Sequence, residues 1–325
     1  MTDTSETTPT VDIEDAPLSE PTPRTGPADA VPVTVLGDLP DQARPYISLS
    51  RIDRPVGIWL LLLPCWIGLA FSRMATGFQA IDLIWIILFG IGAVAMRGAG
   101  CTWNDITDRD IDAGVARTAG RPIPSGEVSL NQAYLWLAAQ LAVGFLVWLT
   151  LPGFAKLVAL LALPLVAAYP YMKRITYWPQ AWLGLTFNWG VLVAAAVTGN
   201  FSLAVVILFL GLALWTVAYD TIYALQDRED DALIGVRSTA RLFGDRVIIG
   251  TFCFMLAAAM AIALAGYLAE AGRMGAVAAL AFIAHGLWQI ARLKQSGEAD
   301  ALAVFKSNVW AGAIILGGFT IAALF

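Results

Sequence analysis

Acidic side chains are concentrated in two short segments of an otherwise apolar chain. In NDITDRDID, aspartates at spacings i, i+3 and i+7 share one face of a helix, and Asp110 points away from it. The three on that face are Asp105, Asp108 and Asp112. In DTIYALQDREDD, a second stripe at i, i+3, i+7 and i+11 consists of Asp220, Tyr223, Asp227 and Asp231. After residue 44 the chain has sixteen acids and nine lie in these two segments, so chance dispersal is a poor explanation.

Carboxylates at these spacings repel one another, and each costs about 2.5–3.5 kcal/mol near hydrocarbon if it is left unpaired. Mg²⁺ suits such oxygen ligands and commonly combines a few carboxylates with the phosphate oxygens of a substrate. A diphosphate held by Mg²⁺ between the two stripes would therefore account for both. Arginines suited to phosphate follow each segment: Arg117, Arg121, Arg237 and Arg241. The plainer alternative is a set of solvated loop carboxylates that cap helices or pair with Arg109 and Arg228.

The composition predicts that the two acidic segments belong to a membrane protein. The chain has 325 residues, 58% of them apolar and 14% charged, with a mean hydropathy of +0.69. Apolar runs long enough to cross about 30 Å of hydrocarbon occur at 55–72, 81–102, 130–149, 152–172, 180–198, 201–219, 246–268, 274–293 and 305–325. The predicted fold class is all-α, a polytopic membrane helical bundle of about nine transmembrane helices.

The distribution of positive charge predicts the orientation of these helices. Loops on one side hold fifteen Lys and Arg residues, whereas the opposite side holds three, Arg73, Lys156 and Arg273. By the positive-inside rule, the amino terminus is cytoplasmic and the carboxyl terminus is periplasmic in a bacterial-type inner membrane. Both acidic segments then lie on the cytoplasmic side and can meet around one cavity.

The first 45 residues differ from the rest of the chain. Residues 1–44 hold nine acids against Arg24 and Arg44, are rich in Pro, Thr and Ser, and show no apolar periodicity. Such a segment cannot bury enough surface to offset the entropy of ordering, so 1–45 is predicted to be a disordered acidic cytoplasmic leader. The transmembrane domain is predicted to cover 46–325.

Together these segments resemble the UbiA family of intramembrane aromatic prenyltransferases over residues 46–325. The family pattern NDxxDxxxD is met by Asn104, Asp105, Asp108 and Asp112. Its RTxxRPxPSG extension resembles RTAGRPIPSG, and its second pattern, DxxYxxxDxxxD, is met by the second stripe. The following GVRSTARLFG and the opening SRIDRPVGIWLLLLPCWIGL resemble the branch of the family that uses 4-hydroxybenzoate. Family members often have Lys where this chain has Arg237, a change that keeps the charge.

The resemblance implies helices around a central cavity that opens to the cytoplasm and to lipid. It also implies transfer of a polyprenyl group from polyprenyl diphosphate to the ring carbon ortho to the hydroxyl of 4-hydroxybenzoate, in ubiquinone biosynthesis. The implied cofactor is Mg²⁺, and the implied partners are the two substrates and the lipid bilayer, with no nucleic acid. The implied metal ligands are Asp105, Asp108, Asp112, Asp227 and Asp231, of which all but Asp105 are also expected to be catalytic.

Substrate contacts are expected from the remaining polar and aromatic residues of the motifs. The diphosphate is expected to contact Arg117, Arg121 and Lys173, with Asn104 beside them. Aromatic faces that stabilise an allylic cation are expected from Tyr169, Tyr223 and Trp103.

Arg97 is the clearest candidate for the carboxylate of the acceptor. It lies inside the second predicted span, seven residues before Asn104 and so on the same helical face. An intramembrane Arg is functional by default, although snorkelling to the interface is the alternative. Arg54 is a second candidate that could equally anchor the topology. The proton acceptor stays open among Asp227, Asp231 and the released diphosphate.

Three other functions compete with this prediction. A CDP-alcohol phosphatidyltransferase also binds a diphosphate through aspartates, but Leu130 stands where its motif needs Asp. Another UbiA-type acceptor, such as a quinone precursor, chlorophyllide or haem, would keep the fold. A Mg²⁺ transporter would explain intramembrane carboxylates but not the adjacent arginines.

Overall fold

In a computed structural model that describes residues 40–114, 118–228, 232 and 235–325, the chain is helical and no β-strand occurs among these residues. The helices are α1 (Arg44–Leu49), α2 (Val56–Arg73), α3 (Asp82–Ala113), α4 (Leu130–Thr150), α5 (Gly153–Leu160), α6 (Leu163–Ile175), α7 (Pro179–Thr198), α8 (Leu203–Tyr223), α9 (Thr239–Phe243), α10 (Val247–Leu268), α11 (Gly272–Ser296) and α12 (Ala301–Leu324).

Eight helical segments are long and apolar enough to cross a membrane. The last of them, Gly272–Leu324, contains both α11 and α12, joined by the short 3₁₀ turn Gly297–Asp300, so the described residues provide nine crossing helices. The fourth, Gly153–Ile175, is broken between α5 and α6, and Pro164 lies in the first turn of α6. The prediction of an all-α membrane bundle is confirmed.

Six helices close into a ring. α2 packs on α7 and α12, α8 lies between α7 and α10, and α11 lies between α10 and α12. One close approach in this ring needs a glycine, because a Cβ at Gly68 would lie 2.7 Å from the Val191 Cα on α7. Outside the ring, α3 packs on α2, α4 and α6. The interior is filled by large apolar side chains such as Trp215, Leu212 and Phe319.

α3 extends to Ala113, as the shared helical face of Asp105, Asp108 and Asp112 predicted. The apolar run ends near residue 102, but the helix carries on through the aspartate segment. It does so because cations from other parts of the chain neutralise the buried carboxylates, as described below. α8 likewise continues to Tyr223 and is followed by the 3₁₀ turn Ala224–Asp227, so the second stripe leaves α-helical geometry before Asp227.

The first described helix fixes the approach of the chain to Arg51. Residues 1–39 lie outside the described residues, and α1 begins at Arg44, with Pro45 in its first turn. Ser50, which ends α1, accepts hydrogen bonds of 2.8 Å from both Trp136 Nε1 and Gln140 Nε2 of α4. These contacts fix the chain that leads into Arg51. The disorder of residues 1–39 stays a prediction.

Candidate active site

Asp105 is paired with an arginine that the sequence did not single out. Arg51 Nη2 donates to both carboxylate oxygens of Asp105, at 2.8 and 3.0 Å, and Nη1 donates to the Ser48 carbonyl at 2.8 Å. Both charged side chains are buried. Burial alone would lower the pKa of the Arg51 guanidinium, but the charges of Asp105 and other neighbours raise that pKa above its ordinary value. Arg51 therefore stays charged beside its partner.

Arg51 reaches Asp105 from a backbone conformation that side chains rarely adopt. Its φ is +56°, in the left-handed region, directly after α1. Such conformations persist where surrounding contacts over-determine them. The ion pair and the α1–α4 hydrogen bonds supply those contacts.

Replacement of Arg51 by Ala is expected to lower the free energy of unfolding by about 3–5 kcal/mol, because it leaves most of the charge of a buried carboxylate uncompensated. The measurement is the apparent melting temperature of the solubilised protein. The matched control is Arg292→Ala, which breaks an ion pair of 2.6 Å whose arginine is half exposed and should cost no more than about 1 kcal/mol. Equal shifts in the two variants would contradict the structural role of Arg51.

Asp108 and Asp112 are also neutralised within the protein. Asp108 has no exposed side-chain surface; it accepts hydrogen bonds from Lys173 and, at 2.8 Å, from Arg174 Nη2, both at the end of α6. Arg121 Nη1 lies 2.6 Å from Asp112 Oδ2 and 3.3 Å from Asp105 Oδ1. Cationic side chains of the protein itself therefore neutralise the negative charge of the first stripe.

The exposed aspartate between these residues confirms the helical stripe. The Asp110 side chain is 85% exposed, and its contact with Arg109 is a loose 3.4 Å ion pair. Arg228 pairs with Glu298 at 3.0 Å. The first stripe is thus a buried face of α3 that packs against the rest of the protein, and the plain alternative of solvated loop carboxylates does not describe it.

The two acidic segments meet at one cavity of about 230 Å³, here called the larger cavity. Asn104 and Asp112 reach it from α3, and Asp220, Tyr223 and Asp227 reach it from the second segment. Its basic lining residues are Arg121, Lys173 and Arg237. Its wall therefore combines oxygen donors suited to a divalent cation with cationic groups suited to phosphate.

A second cavity of about 150 Å³, here called the smaller cavity, adjoins the first. The two share the lining residues Tyr169, Asp220 and Tyr223. Four cationic side chains line the smaller cavity: Arg51, Arg54, Arg97 and Lys306. Apolar and aromatic lining comes from residues such as Leu183 and Phe187. The smaller cavity is thus basic and partly aromatic.

Arg97 is the distinctive residue of the smaller cavity. Its guanidinium carbon lies 5.3 Å from the centre of the Phe187 ring, a cation–π arrangement. Its Nε is buried and has no hydrogen-bond partner among the residues that the structure describes. A buried donor without a partner costs free energy, so a ligand that accepts this hydrogen bond gains affinity.

The predicted site residues divide between the two cavities. The larger cavity is lined by Asn104, Asp112, Arg121, Lys173 and Asp227, the smaller by Arg54 and Arg97, and both by Tyr169 and Tyr223. Neither is lined by Asp105, Asp108 or Trp103; the Trp103 indole instead donates to the Ala167 carbonyl at 3.1 Å. Arg117 and Asp231 lie outside the described residues. Metal binding by Asp105 or Asp108 would require exchange of their ion pairs.

The donor set of the larger cavity fits Mg²⁺. Within 40–114, 118–228, 232 and 235–325, no cluster of three or more His, Cys, Asp or Glu side chains could by itself hold a metal ion. The cavity does present three carboxylates, Asp112, Asp220 and Asp227, and the amide of Asn104. One carboxylate from each acidic segment, Asp112 and Asp227, would suit Mg²⁺, which is usually bound through one or two carboxylates together with substrate phosphates and water.

A helical membrane bundle with these two adjoining cavities has the organisation of an intramembrane prenyltransferase. Residues 61–312 match the UbiA prenyltransferase family, and the chain belongs to that family.

Similar proteins in the family carry more specific names. The chain is 43% identical over 308 residues to the mitochondrial 4-hydroxybenzoate polyprenyltransferase of Bos taurus, a match that covers 93% of this chain and 81% of that protein. It is 41% identical over 289 residues to the enzyme of the same name from Arabidopsis thaliana, covering 88% and 70%. The apo structure of a UbiA homolog from Aeropyrum pernix K1 superposes with a TM-score of 0.69 at 27% identity, covering 81% of this chain and 97% of that one.

Proposed function

We propose that this protein transfers a polyprenyl group from polyprenyl diphosphate to the ring carbon ortho to the hydroxyl of 4-hydroxybenzoate, with release of diphosphate, in ubiquinone biosynthesis. The observation that carries the proposal is the pair of adjoining cavities, one with carboxylates and phosphate-binding cations, the other basic and aromatic. The relatives named for this activity match most of the chain.

The larger cavity would bind the diphosphate of the donor. The planar guanidinium of Arg121 can donate two hydrogen bonds to its oxygens, and Lys173 can act as a point charge. Each would exchange its present aspartate partner for phosphate. Mg²⁺, when bound at Asp112 and Asp227, would neutralise the charge that develops on the departing diphosphate. Asp105 and Asp108 would join these ligands only by giving up their ion pairs. Asp231 is the remaining proposed metal ligand, on the basis of its position in the second acidic motif.

The smaller cavity would bind the aromatic acceptor. Its carboxylate would accept a hydrogen bond from Arg97, whose Nε lacks a partner among the described residues. Arg54 lines the same cavity and adds positive potential. With its carboxylate held in this way, the aromatic ring of the acceptor would lie against the part of the wall that the two cavities share.

The shared wall is where the reaction would occur. The carbon–oxygen bond of the donor breaks and diphosphate leaves with the electron pair; the resulting allylic cation is attacked by the ring carbon beside the hydroxyl. Tyr169 and Tyr223 line both cavities, and their aromatic rings would stabilise that cation. The ring proton then leaves to Asp227, Asp231 or the released diphosphate, which restores aromaticity.

We also propose a bacterial-type inner membrane as the location, with the amino terminus in the cytoplasm and the carboxyl terminus in the periplasm. The support is the excess of positive charge in the loops of one side. A reporter fused after Phe325 that is active only outside the cytoplasm should be active. An inactive reporter on a protein shown to be inserted would contradict the proposed orientation and indicate the opposite one.

The test of the proposed reaction is the identity of its product. Purified protein in liposomes is given a long-chain prenyl diphosphate, Mg²⁺ and 4-hydroxybenzoate, and the product is analysed by mass and by proton NMR. A single prenyl substituent on the carbon ortho to the hydroxyl is expected. Absence of prenylated 4-hydroxybenzoate, together with transfer to another aromatic acceptor, would keep the fold and overturn the proposed substrate.

A further inference from the structure

A glycine at the start of α2 lies directly against the Arg97 guanidinium. A Cβ built at Gly57 would lie 2.7 Å from both Nε and Nη2 of Arg97 and 2.9 Å from its Cζ. Such separations are too short for nonbonded atoms, so a side chain at position 57 and Arg97 in its present place exclude each other. Both residues line the smaller cavity.

The obstructed group is the end of a long, flexible side chain, so an added methyl group would move Arg97 and leave the helix backbones in place. Gly57 differs in this respect from Gly68, whose Cβ would meet the backbone of α7. A methyl group at Gly57 would push the guanidinium from its position over Phe187. The expected consequence is a displaced cation in a folded protein.

We propose that Gly57 is a positioning residue for the acceptor: the absence of its side chain lets the Arg97 guanidinium lie against α2, where Arg97 lines the smaller cavity and can bind an aromatic carboxylate. The inference rests on the proposed function, because it takes the smaller cavity to be the acceptor site. It adds a specificity element in α2, a helix that contributes none of the predicted metal or diphosphate ligands.

The test compares KM values for two acceptors in the wild type and in Gly57→Ala. With 4-hydroxybenzoate, the variant is expected to raise KM about tenfold or more, as loss of a hydrogen bond to a charged group predicts. With 4-hydroxybenzamide, which has no carboxylate charge, the KM of the two proteins should be nearly equal. The KM for prenyl diphosphate should not change, because the larger cavity does not include Gly57. Equal KM for 4-hydroxybenzoate in both proteins would overturn the role of Gly57.

A double-mutant cycle separates positioning from general packing. In the Arg97→Ala background, Gly57→Ala should have little further effect on KM, since the group that it displaces is gone. The matched control is Gly90→Ala on α3, where nothing lies within 4 Å of the added Cβ, and its KM should equal that of the wild type. If Gly57→Ala fails to fold alone but folds with Arg97→Ala, the steric relation stands. If it folds in neither background, or if its effect persists without Arg97, Gly57 serves packing and the inference fails.

The same assay distinguishes failure of the inference from failure of the proposed function. Wild-type protein that does not prenylate 4-hydroxybenzoate overturns the proposed function, and with it the role of Gly57. Wild-type transfer with an unchanged KM in Gly57→Ala overturns the role of Gly57 alone.

Discussion

Replacement of Asp227 or Asp112 by Asn is expected to lower kcat for prenyl transfer by about 10²–10³-fold, the usual loss when one group that stabilises transition-state charge is removed. Both carboxylates line the larger cavity, one from each acidic segment. Asn keeps the size of the side chain and removes the charge, so membrane insertion should be unaffected. The measurement is the turnover rate at saturating concentrations of both substrates.

Asp110→Asn is the matched control for this prediction. Asp110 lies two residues from Asp112 on the same helix, yet its side chain is 85% exposed. The control should retain wild-type turnover. Asp108 suits this test less well, because its replacement would remove the counter-charge of Lys173 and Arg174 and so would also affect stability. Near-normal turnover in Asp227→Asn or Asp112→Asn would show that the two segments do not act on one diphosphate.

Replacement of Arg97 by Ala is expected to raise KM for 4-hydroxybenzoate by about 10–100-fold, which corresponds to the loss of about 1.5–3 kcal/mol from a charged hydrogen bond. The donor KM should stay within about twofold, because Arg97 lines only the smaller cavity. Initial rates at varied 4-hydroxybenzoate and saturating donor provide the measurement. Arg97→Lys retains the charge but not the planar fork, so its KM should fall between those of the wild type and Arg97→Ala.

A uniform fall in kcat with both KM values unchanged would assign Arg97 to the chemical step or to structure. A rise in donor KM alone would place Arg97 on the diphosphate. Either result would contradict the assignment of the smaller cavity to the acceptor carboxylate.

The bundle was predictable from sequence because hydropathy over about twenty residues reports directly on membrane crossing. Hydropathy alone falls short where tertiary contacts override local composition. α3 runs eleven residues past the end of its apolar run, and the aspartates in this extension are neutralised by partners remote in sequence, such as Arg51 and Lys173. The break between α5 and α6 falls within one continuous apolar run and leaves no hydropathy signal.

Parts of the candidate site were equally readable from the spacing of acidic residues. The helical stripe predicted that Asp110 would point away from Asp105, Asp108 and Asp112, and it does. The partners of that stripe were not predictable, because Arg51 and Arg174 differ in no local pattern from topology-setting arginines. The signal that points to Arg51 is its left-handed backbone together with a buried acid within reach, and both require coordinates.

Gly57 shows the limit of sequence reasoning most clearly. In the sequence it is one of 29 glycines, placed in a motif at the start of a span. Its relation to Arg97 depends on how closely α2 and α3 approach, which no spacing rule gives. That a Cβ at Gly57 would lie 2.7 Å from the Arg97 guanidinium is seen only when the two helices are packed.

The most direct test of the central claim is the metal dependence of coupled product formation. Membranes that contain the protein are given a long-chain prenyl diphosphate and labelled 4-hydroxybenzoate, with Mg²⁺ and then with excess chelator, while prenylated product and released diphosphate are both counted. Equal amounts of the two are expected with Mg²⁺, and both should be lost with chelator. Product formed at the same rate in chelator, or Mg²⁺-dependent diphosphate release without prenylated 4-hydroxybenzoate, would contradict the central claim.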